Sequence, residues 1–105
     1  MKMIPIVSAL LIASAVLGSS PIFAADAEHG AALARRWCSS CHVVAANQRQ
    51  VTGEAPPFAT IARRPDFDVN RLAFFLLDPH PKMPDMGLSR SEAADLAAYI
   101  AALAK

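Results

Sequence analysis

The chain has 105 residues, ten of them basic and nine acidic, with 54% hydrophobic side chains and a net charge of +1. That length holds one domain at most, and the charge balance excludes both the basic face that nucleic acid demands and strong steering of partners by one sign of charge. A domain this small buries too little surface to be stable on its core alone, so a disulfide, a metal or some other large staple is expected.

The first 25 residues have the layout of a secretory leader. Met1-Lys2 is a short charged start, and Ile4 to Leu17 is an apolar run of fourteen, diluted by Pro5, Ser8 and Ser14. It is shorter and more polar than the roughly 20 apolar residues of a membrane span. Small residues and Phe23-Ala24-Ala25-Asp26-Ala27 follow. Cleavage is expected after Ala25, within two residues, since Ala25 and Ala27 also satisfy the small-x-small rule. The domain then runs over 26–105, with nine basic and nine acidic side chains once Lys2 is removed. Membrane contact is expected only if the leader stays attached.

Asp26 to Trp37 is rich in Ala, Leu, Glu and Arg and predicts a helix, with Leu33, Ala34 and Trp37 on its apolar face. Gly30 costs such a helix about 1 kcal/mol and is expected where another helix comes close. Directly afterwards stands Cys38-Ser39-Ser40-Cys41-His42, which reads C-x-x-C-H, the attachment signature of c-type haem. Each of two thiols at this spacing adds across one vinyl group, and the next histidine is held under the iron. A redox dithiol belongs after a strand in a βαβ setting, and no strand is readable here. Tetrahedral zinc wants four ligands, and adjacent Cys41 and His42 point apart, so His29 or His80 would have to complete the set.

Val43 to Glu54 reads as loop, and Pro56-Pro57 stiffens the backbone that follows. Ala59 to Arg64 predicts a short helical turn. Asp68 caps a helix through Arg71, Leu72, Phe74, Phe75 and Leu77, whose bulky residues nearly surround it, so that both faces should be largely buried. Pro79 and Pro81 end it. Asp78 to Leu88 carries three prolines in eleven residues and predicts an irregular, stiff loop. Ser89 with Glu92 forms a capping box for a last helix whose Leu96, Ile100 and Leu103, with Tyr99 beside them, make one stripe. Nothing alternates with period two, so no sheet is expected.

A second axial ligand should come from the stiff loop. A thioether is a weak, soft ligand suited to reduced iron. Met83, between Lys82 and Pro84, is the expected one; Met86 and His80 are the alternatives. The histidine's other ring nitrogen needs a carbonyl partner, for which Pro56 is the candidate. Arg49, Arg63 and Arg64 are candidates to pair with haem propionates, and Phe58, Phe74, Phe75, Leu76 and Leu88 are candidates for the haem pocket and core.

Taken in order, these residues resemble the small class I c-type cytochromes over nearly all of Asp26 to Lys105. The family's C-x-x-C-H falls on Cys38, Cys41 and His42, its helix glycine on Gly30 and the aromatic that packs over it on Tyr99. Its proline carbonyl falls on Pro56, its methionine before a proline on Met83, and its last-helix opening on Leu88, Ser89 and Glu92. The lysine-rich face of mitochondrial relatives is missing, so their partners do not carry over. The resemblance implies an all-α fold of three main helices and loops wrapped around one covalent haem c, with the first and last helices crossing at Gly30 and Tyr99. It implies one-electron transfer in the periplasm, with His42 and Met83 on the iron, no small-molecule substrate, and brief encounters with a redox-protein donor and acceptor. The other reading is a haem subunit of a periplasmic oxidoreductase.

Overall fold

The computed structural model describes residues 2–5, 12, 24–48, 55–79 and 81–105. Most of the expected leader, residues 49–54 with Arg49, and the alternative ligand His80 lie outside the described residues. Four helices are described: α1 (Ala27–Trp37), α2 (Phe58–Ala62), α3 (Val69–Leu77) and α4 (Arg90–Ala102). Among the described residues there is no strand, and no helix is long and apolar enough to cross a membrane.

The last helix is the hub, since α1, α2 and α3 all pack on it. Its start is fixed by the expected capping box: the Ser89 hydroxyl accepts from the Glu92 N–H, and the Glu92 carboxylate accepts from the Ser89 N–H. Ala93, Leu96, Ala97 and Ile100 are buried along it. The two alanines leave room for neighbouring backbones, while Leu96 and Ile100 fill the core. At the opposite end of the chain order, Asp26 caps α1 by accepting from the N–H groups of Glu28 and His29 at 3.0 and 3.1 Å.

The crossing of α1 and α4 explains Gly30. A Cβ at this position would lie 2.0 Å from the Asp95 carbonyl oxygen and 2.9 Å from the Tyr99 Cβ. Only a residue without a side chain allows this approach. Asp95 then reaches across the crossing: its carboxylate accepts from the Asp26 N–H at 2.7 Å and meets His29 Nδ1 at 2.8 Å.

Two expectations need correction. The short helical turn begins at Phe58 and ends at Ala62, one residue earlier than the expected start, because Pro57 supplies a preset φ of −57° at its N-cap. The two faces of α3 are not both buried. Leu76 is in the core, whereas Phe74 is 77% exposed and Phe75 38%. Among the described helices this nine-residue helix packs against α4, which covers one face, and Phe74 is exposed outside it.

Candidate functional site

The C-x-x-C-H segment leaves the end of α1 as a tight turn. Cys38 is the C-cap of that helix and donates its N–H to the Ala34 carbonyl at 2.9 Å. The N–H groups of Cys41 and His42 then both donate to the Cys38 carbonyl, at 3.2 and 2.9 Å. This winding buries Cys38 and His42 and leaves Cys41 exposed. Burial, with a smaller contribution from neighbouring Cys41, pushes the Cys38 thiol up to about 11. No group of three or more His, Cys, Asp or Glu suited to a metal ion occurs among the described residues.

His42 is 7% exposed, and its ring is held on two sides. Its Nδ1 lies 2.6 Å from the Pro56 carbonyl oxygen. A carbonyl can only accept, so Nδ1 carries the proton and Nε2 keeps a free lone pair. The Phe58 ring packs against the imidazole at 5.0 Å between centroids, tilted by 46°. The backbone beyond is tied down as well. The Phe58 N–H donates to the Val43 carbonyl at 3.0 Å, and the Tyr99 hydroxyl donates to the Val44 carbonyl. Gln48 accepts from the Val44 N–H and donates to the carbonyls of Ser39 and His42.

The turn borders a cavity of about 530 Å³ whose lining includes Trp37, Cys38, Cys41, His42 and Pro56 together with Lys82, Met83, Pro84 and Met86. A second cavity of about 440 Å³ shares His42, Pro56 and Met83 with the first and continues to Ile61, Leu72 and Phe75, with Arg64 and Arg71 on its wall. Both volumes fall in the range of roughly 300–1,000 Å³ usual for ligand sites. His42 and Met83 thus border both cavities, whereas Met86 borders the first only. Met83 and Met86 are partly buried and pack against the core.

All five residues singled out in the sequence, Cys38, Cys41, His42, Pro56 and Met83, therefore stand around one crevice. Of the arginines, Arg64 borders it and Arg63 does not. Phe75 lines it, Phe58 and Leu76 are core, Leu88 is partly buried, and Phe74 is on the surface. Sequence reasoning missed Arg71 and Gln48. Arg71 is four residues before Phe75 on α3, a spacing that puts both on one helix face and was available as a signal. Gln48 sits in an undistinguished loop, and nothing in its setting marks it.

Comparison with known proteins agrees with this arrangement. The family model described as "Cytochrome C oxidase, cbb3-type, subunit III" matches residues 25–100. The chain is 59% identical over 93 residues to cytochrome c-552 of Bradyrhizobium diazoefficiens, covering 89% of each chain. No solved structure matches it. The chain belongs to the c-type cytochromes: it is a small all-α electron-transfer protein that carries haem c covalently and has redox proteins as its partners. The residues present fit that group. The two cavities offer two cysteine sulfurs three positions apart, one imidazole, two thioethers, apolar side chains and two guanidinium groups.

Proposed function

We propose that the chain is a periplasmic one-electron carrier whose haem c is joined to Cys38 and Cys41 and ligated axially by His42 and Met83. When bound, haem c supplies an iron couple that gains and loses one electron. The chain's own residues tune and shield it. Pro56, by accepting the Nδ1 proton of His42, fixes the ring and raises its basicity. Met83 offers a neutral sulfur that favours the reduced state. Phe75, Leu72 and Ile61 give the second cavity its apolar lining, and Arg64 and Arg71 are placed to pair with propionates. With His42 and Met83 both holding the iron, no ligand position would be left for a substrate. Encounters with the donor and acceptor are brief, through a small patch at the crevice mouth.

The single observation carrying this reading is that His42 and Met83 both line both cavities. The leader is removed after Ala25, within two residues; the start of the helical domain at Asp26, the N-cap of α1, supports that boundary. A second reading, a haem subunit of a periplasmic oxidoreductase, draws on the oxidase subunit named by the matching family model. Co-purification with a larger catalytic chain would decide for it.

The ligand assignment is tested by the ferric absorption spectra of Met83→Ala and Met86→Ala. The weak red-region sulfur-to-iron band should vanish and the potential fall in Met83→Ala, with both retained in Met86→Ala. The reverse pattern would assign the sulfur to Met86.

A further inference from the structure

Gln48 belongs to no helix, yet its side chain makes three hydrogen bonds at the centre of the site. Its Oε1 accepts from the Val44 N–H at 2.7 Å, and its Nε2 donates to the Ser39 carbonyl at 2.9 Å and to the His42 carbonyl at 2.8 Å. Both amide protons and an oxygen lone pair are engaged. A flipped amide would set its oxygen against two carbonyls and its NH₂ against an N–H, so one orientation alone is compatible with the site. The Ser39 carbonyl lies between the two cysteines, and the His42 carbonyl belongs to the ligating residue. One side chain therefore ties the middle of C-x-x-C-H to its last residue and to the chain two positions beyond.

The remaining supports of this segment come from elsewhere. Pro56 holds the His42 ring, the start of α2 holds Val43, and Tyr99 on α4 holds Val44. These partners fix the ring and the downstream strand of chain. The turn of the motif itself is closed by Gln48 together with the Cys38 carbonyl, which accepts from Cys41 and His42.

The geometry points to Gln48 as a positioning residue for His42: its amide sets the backbone of the C-x-x-C-H turn and, through it, the angle at which the imidazole faces the iron. This rests on the ligating role proposed above for His42. Its effect reaches the metal through Nδ1. When the turn loosens, the hydrogen bond to Pro56 lengthens and the imidazole becomes a poorer electron donor. The oxidised state is then less well stabilised, and the potential moves up.

The test uses exported holo-protein. Gln48→Leu keeps the side chain's bulk and removes all three hydrogen bonds. Its reduction potential should rise and its ferric electron-paramagnetic-resonance g-values, which report axial-ligand orientation, should shift, with both thioethers intact by mass. Asp95→Asn serves as a control, since Asp95 lines neither cavity and ties α1 to α4. It should lower the thermal midpoint and leave potential and g-values unchanged. A Gln48→Leu protein with native potential and g-values overturns the proposal and leaves Gln48 a stabilising residue only. Should that variant yield no holo-protein, amide hydrogen exchange of the wild type decides. The Val44 N–H should exchange as slowly as the interior of α1, and exchange at the rate of an open loop overturns the proposal. A wild-type spectrum without histidine–methionine features overturns the ligand assignment first, and this inference with it.

Discussion

The two walls of the crevice are built differently. On the His42 wall the carbonyls of Ser39, His42, Val43 and Val44, the N–H groups of Cys41, His42 and Val44, and the His42 ring have partners drawn from Gln48, Pro56, Phe58, Tyr99 or the motif itself. The Met83 wall is shaped by Pro79, Pro81 and Pro84, by an Asp85 side chain that accepts from the Gly87 N–H at 2.9 Å, and by Gly87 at a φ of +61°. Its apolar residues Met83, Met86 and Leu88 lean on the core. On the proposed ligation, a strong, directional ligand would have a hydrogen-bonded frame to set its angle, and a weak, soft ligand would be held in reach by a backbone with few conformations to lose. The difference teaches that a site of this kind needs one wall that dictates geometry and another that yields.

The largest effect should come from breaking the first wall. Phe58 is buried and underlies the His42 ring, so Phe58→Ala should cost about 3–5 kcal/mol. Chemical denaturation of the holo-protein checks this, and the loss should exceed that of Met83→Ala, which removes a partly buried residue from the other wall. Equal losses would mean the walls are equivalent.

A smaller effect is expected from Tyr99→Phe. Only the hydroxyl is removed, leaving the carbonyl of fully buried Val44 without that donor, at a cost of about 1–3 kcal/mol. The red-region band should persist, because the methionine wall is untouched. Loss of the band in this variant would show that the two walls are not independent.

The smallest effect lies outside both walls and depends on pH. The hydrogen bond to Asp95 raises the pKa of His29 above its ordinary 6.5, and the same bond lowers Asp95 below 3.8. A raised histidine adds stability that is complete below 6.5 and is lost as pH rises through its folded value. A lowered carboxylate adds stability that is complete above 3.8 and is lost as pH falls through its own folded value. The pair therefore contributes most between pH 3.8 and 6.5. Thermal midpoints of wild type and His29→Gln should differ most in that window and converge near about pH 9, with no change in the reduction potential. His29 is exposed at the surface, so the shift should be small.

Much of this was legible in the chain because it rests on local rules. The caps Asp68 and Ser89 mark helix starts through side chains that bond the first free N–H groups. Gly30 marks a crossing because nothing larger fits. Cys38, Cys41 and His42 mark the site because their chemistry needs that spacing. What escaped depends on chain segments distant in sequence or on partners without a motif. The exposure of Phe74 follows from which neighbours α3 acquires, and its own residues do not say. The bridge from Asp95 to Asp26 and His29 spans 69 and 66 residues. Gln48 acts through backbone carbonyls, which are the same in every sequence.

The contrast between a rigid and a compliant wall is tested most directly by warming the ferric holo-protein while following the red-region sulfur-to-iron band and the helical circular-dichroism signal together. The account predicts that the band fades at a lower temperature than the helices melt, as Met83 lets go while His42 and its frame remain. A single transition in which both signals disappear together would contradict it.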